Sequence, residues 1–440
     1  MARQADRLSP RSIDRRILAL AVPALGALAA DPLLSLVDTA FVSRLGTVAL
    51  GALGVDAAIF SFAFFAFNFL AYATTPMVAR RIGAGDRAGA GRIVVQALML
   101  ATGLGLLVSA VLFGGAETLV RAMQAGPELV DPAVSYLRIR ALAAPAMLIV
   151  TAGHGAFRGL HDTRTPFGIT LAINVINVVL DPLLIFGFDL GIEGAALATL
   201  TAQMVGAAWF VAVLVRVGRR EGWSWTPPGL RELAPLLGTG GVLTLRTLFI
   251  TGTLTAATAV AASIGSEPVA AHQVVAQTWL LLAMVVDALA ISAQAMVADE
   301  IGQGDRRGAS VVATRLGRWG IVAGATLAVL LLSGGNLVAT FFATEPAVRE
   351  LIGAAMVVAA LMQPVAAAVF VADGVFLGLL QVRYLAYSTM AGGLVAGLLL
   401  WMTAVSGWGL VGVWWAIAAM VTVRLVVLAL AYPRALATAT

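Results

Sequence analysis

The stretch MVARRIGAGDRAGA at residues 77–90 recurs as MVADEIGQGDRRGA at residues 296–309, with ten of the fourteen positions identical. A second match, of GAFRGLHDTR at 155–164 with GVFLGLLQVR at 374–383, has the same offset in numbering, which is 219 in both matches. Two separated matches at one offset indicate that one half of the chain is a copy of the other. A duplicated half in an apolar chain is typical of membrane transporters built from two repeats.

The composition predicts the medium in which the chain folds. Hydrophobic residues make up 60% of the 440 residues, charged residues only 12%, and the mean hydropathy is +0.95. Soluble domains carry about 25% charged residues, so this is predicted to be an integral membrane protein. The chain has no cysteine, which excludes disulfides, thiolate nucleophiles and cysteine-based metal sites.

The apolar runs and the repeat together predict the fold. We expect an all-α integral membrane protein with about twelve spans, each run of about 18 or more residues crossing as one helix. Two six-helix bundles would be related by a parallel internal repeat, because an even number of spans returns each half to its starting side. The expected domains are a first lobe at 1–217, a cytoplasmic linker at 218–231 and a second lobe at 232–440.

The positions of the basic residues predict the orientation. They are all arginine, and they cluster beside both ends of the chain and in loops of one parity. By the positive-inside rule both termini are expected in the cytoplasm. The basic pI of about 10.3 is then explained by topology and by contact with anionic lipid, and no nucleic-acid partner is expected.

Several polar residues lie inside or beside apolar runs, where a carboxylate costs about 2.5–3.5 kcal/mol near a helix centre. The acids are Asp31, Asp38, Asp181, Asp287 and Asp373. Asn177 precedes Asp181 by one helical turn, and Thr199 in span 6 would complete a cluster of carboxylate, amide and hydroxyl. Intramembrane acids predict a functional site by default.

The repeat makes these acids more informative, because each has a counterpart at the offset of 219 in the other half. Asp38 pairs with Ala257, Asp181 falls near Leu400, Asp287 pairs with Asn68, and Asp373 pairs with His154. A scaffold role would be duplicated with the scaffold, as the glycines and GD turns are. The mismatch predicts a different polar site in each half, and buried carboxylates can titrate near neutral pH, as proton coupling requires.

At this point the residues resemble the multidrug and toxic compound extrusion (MATE) transporters, and within them the DinF-like subfamily. The resemblance covers nearly the whole chain and rests on the two GD loops, on GAFRGLHDTRTP at 155–166 and on three other segments. These are DPLLSLVDTAFVSRLG at 31–46, NVINVVLDPLLIFG at 174–187 and ADGVFLG at 372–378. It implies a secondary active antiporter that exports organic, often cationic, compounds in exchange for protons or sodium, by alternating access between two lobes.

The same resemblance implies roles for particular residues. It implies an ion-coupling site at Asp38, Asp181, Asn177 and Thr199. It implies a polar site of the second lobe at Asp287 and Asp373. It also implies a helix bend near Pro23, which follows protonation of the first site. Sodium in place of a proton remains open at the acid sites.

Three further residues have two interpretations each. Asp31 precedes a proline, so it either belongs to the site or simply ends a helix. His154 either modifies the hydrogen bonding of the first lobe or is a satisfied polar group between helices, which is the simpler interpretation. Arg246 in span 7 either neutralises an acid or reaches the membrane interface, and the length of its side chain favours the interface.

The remaining expectations concern class and location. No catalytic constellation such as HExxH or GxSxG occurs, so an enzyme is not expected. We expect no cofactor and no resident metal, with H⁺ or Na⁺ as the coupling ion. The expected partners are small organic substrates and the lipid bilayer, with the protein a monomer in a bacterial inner membrane. The alternative function is a flippase for a lipid-linked or polysaccharide substrate, which would need a strongly cationic cleft.

Overall fold

The computed structural model describes residues 8–123, 126–225 and 229–439, apart from the side chains of Asp31, Phe65 and Leu230. The expectation for Asp31 therefore lies outside the described side chains. In the described part, ten helices are long and apolar enough to cross a membrane. Two more spans are pairs of shorter helices bent by 49°. Counted as one span each, the pairs bring the total to twelve, which confirms the predicted number.

The helices follow one another with short connections. Those of the first repeat are α1 Pro10–Val42, α2 Thr47–Phe65, α3 Phe69–Gly83, α4 Arg87–Ala122, α5 Pro127–Ala141, α6 Ala144–Gly159, α7 Arg164–Pro182 and α8 Gly191–Glu221. Those of the second repeat are α9 Ala234–Ile264, α10 Ser266–Gly302, α11 Arg306–Phe342, α12 Pro346–Leu361, α13 Gln363–Gly378, α14 Val382–Ser406 and α15 Gly409–Thr438. The bent pairs are α5 with α6 and α12 with α13.

The repeat found in the sequence also appears in the helix boundaries. The first residues of α11, α12 and α13 correspond to those of α4, α5 and α6 at the same offset of 219 in numbering. One difference interrupts the match. A 3-10 turn at Ala66–Asn68 separates α2 from α3, whereas the corresponding part of the second repeat is the single helix α10.

The GD turns are structural in both repeats. Gly85 and Gly304 both have φ of +74°, a left-handed conformation that glycine adopts without steric cost. The following aspartates, Asp86 and Asp305, cap the next helix by accepting a hydrogen bond from the N–H of Gly89 and Gly308, each at 2.7 Å. The strongest match in the sequence thus fixes where α4 and α11 begin.

The chain forms two compact units. One, the first-repeat unit, is Val22–Gly240; the other, the second-repeat unit, is Met1–Ala21 together with Gly241–Thr440. The sequence-predicted lobes at 1–217 and 232–440 differ from these units mainly at the start of the chain. Helix α1 is continuous across Ala21 and Val22, so its two ends are packed in different units.

Ion pairs and apolar packing explain why the start of α1 belongs to the second-repeat unit. Arg16 contacts the carboxylates of Asp299 and Glu300 at 3.3 and 3.4 Å. Asp14 accepts hydrogen bonds from Arg315 at 2.7 and 2.5 Å and from Trp319 at 2.8 Å. Ile13 and Ile17 are fully buried. Such contacts between distant parts of the chain are not visible in local sequence.

Candidate functional site

The predicted cluster of Asp181, Asn177 and Thr199 forms between α7 and α8. All three side chains are buried, with Asp181 fully inaccessible. The amide of Asn177 is oriented so that its nitrogen donates to Asp181 Oδ2 at 3.0 Å and its oxygen lies 3.1 Å from Thr199 Oγ1. The opposite orientation would turn the amide oxygen toward the carboxylate, and two acceptors repel each other. Asp181 Oδ1 has no hydrogen-bond partner among the described residues.

Asp38 lies on α1 and is buried, with Oδ1 also unpartnered in the described part of the chain. It lines a cavity of about 320 Å³ together with Tyr136 and Arg140 of α5. Its charge interacts with those of Asp181 and Arg140. The structure therefore brings the predicted residues of the first lobe together around one site.

Three members of this site are absent from the residues predicted from the sequence. They are Asp56 on α2 and the pair Tyr136 and Arg140 on α5. Asp56 and Tyr136 are fully buried, and Arg140 donates a hydrogen bond to Tyr136 Oη at 3.0 Å. Asp56 could have been found by the criterion that found Asp38, since it is a lone acid in the apolar run GALGVDAAIF at 51–60.

His154 lines a separate cavity of about 200 Å³ in the same unit, with Asn68 and Gln203. Its Nε2 lies 3.0 Å from Thr170 Oγ1, and its ring is 5.3 Å from that of Phe210. These contacts make it a satisfied polar group between helices, which was the simpler of its two interpretations.

The polar site of the second-repeat unit is built differently, around Asp373 of α13. Arg246 of α9 contacts Asp373 Oδ2 at 2.5 Å, and Arg424 of α15 contacts both oxygens at 2.9 and 2.7 Å. The expectation that Arg246 reaches the membrane interface is wrong. Its guanidinium instead pairs with the buried carboxylate of Asp373, because a charge buried in low dielectric is costly unless an opposite charge is paired with it.

The other predicted residues have less defined surroundings. Asp287 is half-buried on α10. Pro23 lies inside the continuous helix α1, in its first-repeat part. Within residues 8–123, 126–225 and 229–439, no group of three or more His, Asp or Glu side chains is placed to hold a metal ion.

The charged site of the first repeat has an apolar counterpart in the second. Six of the seven positions that the offset of 219 pairs with the site residues lie in one buried apolar cluster, and the seventh, Ala396 opposite Asn177, lies in another apolar cluster. The pairs are Asp38 and Ala257, Asp56 and Val275, Tyr136 and Ala355, Arg140 and Ala359, Asp181 and Leu400, and Thr199 and Ala418. Equivalent positions of equivalent helices thus carry opposite chemistry.

Comparison with known proteins also divides the chain into two repeats. A family model described as MatE matches residues 23–183 and again residues 243–402, once in each repeat. The chain belongs to the MATE family. This makes it a multi-pass membrane transporter, as its apolar helices predict.

Two relatives and one structure illustrate the similarity. Protein DETOXIFICATION 44, chloroplastic, of Arabidopsis thaliana is 34% identical over 428 residues, covering 94% of this chain and 81% of that protein. DNA damage-inducible protein F of Escherichia coli (strain K12) is 27% identical over 373 residues, covering 83% and 81%. The crystal structure of Vibrio cholerae MATE transporter VcmN in the bent form has a TM-score of 0.90 at 21% identity, covering 98% of each chain. The MATE fold and the DinF-like resemblance are confirmed.

Proposed function

We propose that this MATE protein is a secondary active antiporter that exports organic compounds, often cationic, in exchange for protons. The observation that carries the proposal is the charge imbalance of the first-repeat site. Among the described residues, three buried carboxylates, Asp38, Asp56 and Asp181, interact electrostatically with one guanidinium, that of Arg140. An excess of buried negative charge is costly unless a cation or a proton neutralises it.

Exchange follows from this imbalance. An organic cation and protons would neutralise the same carboxylates, so binding of one weakens binding of the other. Because the carboxylates are buried and the surrounding dielectric is low, the competition is stronger than it would be in water. Protons entering from the acidic side would release the substrate there, and their departure into the cytoplasm would restore the site.

Helix α1 would couple this chemistry to movement. Proline cannot donate the helical hydrogen bond, so a helix bends most easily at such a residue, and Pro23 lies four turns before Asp38. Gly26 lies close to the ring of Phe167, where a Cβ would be only 2.6 Å from a ring carbon. We expect protonation of Asp38 to change the packing of this part of α1 and so to switch access between the two sides.

We propose that both termini face the cytoplasm, as the arginine positions predict, and that the protein lies in a bacterial inner membrane, as its similarity to the protein of Escherichia coli suggests. The alternative of a flippase for lipid-linked substrates would need a strongly cationic cleft. The carboxylate of Asp373 offsets part of the charge of Arg246 and Arg424, which favours the antiporter.

The test is transport by purified protein in liposomes under separately imposed pH and sodium gradients. A pH gradient is expected to drive efflux of a fluorescent organic cation, and Asp38→Asn is expected to abolish this coupling while the protein stays folded. The matched control is Asp131→Asn, the same chemical change at an exposed position of α5. Full coupled transport by Asp38→Asn, or transport that follows sodium and ignores pH, would overturn the proposal.

A further inference from the structure

Asp56 is a buried acid at the middle of a membrane span. It is the tenth residue of the 19-residue helix α2, its side chain is fully inaccessible, and neither carboxylate oxygen has a hydrogen-bond partner in the described part of the chain. An ionisable group in this position is expensive and rarely serves packing. A purely structural acid would be expected to have its oxygens satisfied.

The position of Asp56 on α2 directs it toward the cavity that Asp38 lines. Leu53 and Phe60 of α2 line that cavity, and they precede and follow Asp56 by three and four residues. Residues at these spacings share one face of a helix. Asp56 therefore lies on the face of α2 that borders the cavity, one helical turn from lining residues on both sides.

Arg140 is the cation shared by the acids. Its charge interacts with both Asp38 and Asp56, and its guanidinium carbon lies 4.6 Å from the centroid of the Phe60 ring. The Nε of Arg140 has no hydrogen-bond partner among the described residues. Tyr136 and the Phe60 ring thus hold the guanidinium in place, and it is not fully paired with either carboxylate.

Other charged groups on the helices around α2 are occupied elsewhere. Glu117 and Arg121 of α4 are exposed and pair with each other at 2.9 Å. Arg138 of α5 is exposed and lies over the ring of Phe113. Arg44 in the turn before α2, and Glu128 and Asp131 at the start of α5, are exposed. Among the described residues, the ionisable groups that interact with Asp56 are Arg140 and Tyr136 of α5. Arg140 also interacts with Asp38 of α1.

The second repeat argues against a structural need for this pair. The positions of Asp56 and Arg140 correspond to Val275 and Ala359, both fully buried in an apolar cluster. The same helices therefore pack without any charge there. A buried ion pair is often no more stabilising than apolar residues of similar size, so its presence in one repeat alone points to function.

We propose that Asp56 is a second proton-binding carboxylate of the transport cycle and that Arg140 is the fixed counter-ion that sets how many protons the empty site holds. The inference rests on the proposed function. Three carboxylates and one guanidinium leave two negative charges, so about two protons neutralise the empty site. A divalent organic cation offsets both charges and displaces both protons, whereas a monovalent cation displaces one proton and leaves the other bound.

The experiment counts the protons released when a divalent organic cation binds. Methyl viologen is titrated into the purified full-length protein at constant pH, in two buffers with different ionisation enthalpies, and the heats give the proton number. We expect about two protons for the wild type and about one for Asp56→Asn, because one site is lost. Asp56→Glu should restore the wild-type number, and Asp131→Asn should not change it.

Two further variants complete the test. Asp56→Val introduces the residue found at the corresponding position of the second repeat, so it decides the matter if Asp56→Asn does not fold, and about one proton is again expected. Adding Arg140→Gln to Asp56→Asn removes the fixed positive charge as well, so the proton number should return to about two. About two protons in a folded variant that lacks only Asp56, or about one in the double variant, would overturn the inference while the antiport proposal stands. A wild type that releases no proton would instead overturn the antiport proposal itself.

Discussion

In the first repeat the helices enclose a charged site, whereas in the second the corresponding positions form an apolar core. Asp38 and Asp56 of the first repeat correspond to Ala257 and Val275 of the second. The helix boundaries of the two repeats agree closely, so the arrangement of helices does not depend on whether these positions carry charged or apolar residues. Duplication supplied two copies of one scaffold, and the interior of each copy then acquired its own chemistry.

The buried acid of the second repeat, Asp373, lies at a different position of the repeated helices. Asp373 corresponds to His154, and its carboxylate is held by two arginines at 2.5–2.9 Å. Asp38, by contrast, keeps one oxygen without a partner among the described residues. A fully paired acid is stabilised as an ion, whereas an incompletely paired one can exchange its proton for a cation. The comparison favours the first repeat as the place of exchange.

The largest expected effect comes from moving the acid to the other repeat. Ala257→Asp would place a carboxylate in the apolar cluster of the second repeat with no counter-ion in that cluster. We expect a loss of about 3–5 kcal/mol of stability, the cost of an uncompensated buried charge, measured by unfolding in detergent.

The reciprocal change provides the control. Asp38→Ala removes an incompletely paired acid, so we expect the protein to remain within about 1 kcal/mol of the wild type while it loses pH-driven transport. Equal destabilisation by the two variants would mean that Asp38 is needed for stability, contrary to the comparison.

An intermediate effect is expected at the amide that holds Asp181. Asn177→Ala removes a hydrogen bond to a carboxylate, an interaction of about 1.5–3 kcal/mol, and so should reduce transport driven by a pH gradient by about tenfold or more. Initial rates of efflux from liposomes measure the change.

Asn174 offers a matched control on the same helix. It is also buried, but its side-chain oxygen has no hydrogen-bond partner among the described residues. Asn174→Ala is expected to keep most of the transport rate. If the two variants were equally impaired, the amide of Asn177 would have no special relation to the acid.

The smallest effect is expected at the helix caps, which both repeats have. Asp86→Ala and Asp305→Ala each remove one helix cap, and each should cost about 1 kcal/mol, with no change in transport selectivity. The hydrogen bond from the Gly89 N–H lowers the pKa of Asp86 below its ordinary value. Its contribution to stability is therefore complete above pH about 4 and is lost as the pH falls through the lowered pKa.

Unfolding curves of the wild type and Asp86→Ala between neutral and acidic pH would test this. The two curves should converge at low pH. A difference that persisted well below the lowered pKa would mean that Asp86 acts through something other than its ionised side chain. A large effect of one cap and none of the other would contradict the shared scaffold.

Much of the site could be predicted because intramembrane acids are rare and easily seen. Asp38 and Asp181 are identified in this way, Asn177 follows from its place one helical turn before Asp181, and Thr199 follows from its position in the next span. Asp56 satisfies the same criterion and is the acid that the sequence prediction missed. Arg140 gives a weaker signal, because an arginine near a helix end is ordinarily explained by the interface.

The partners of these residues could not be predicted, because they come from other helices. Arg246 is 127 residues from Asp373 in the chain, and nothing local distinguishes an arginine that reaches lipid headgroups from one that turns inward. The attachment of the start of α1 to the second-repeat unit has the same cause, since Arg16 and Asp299 are 283 residues apart.

The sequence by itself determined the medium, the number of spans, the duplication and the positions of most buried acids. These properties follow from composition, run length and period, which are local or depend on one offset. The tertiary structure alone decided which acids are paired and which keep an oxygen without a partner among the described residues. That distinction depends on distances of about 3 Å between helices, and only packing brings the helices that close.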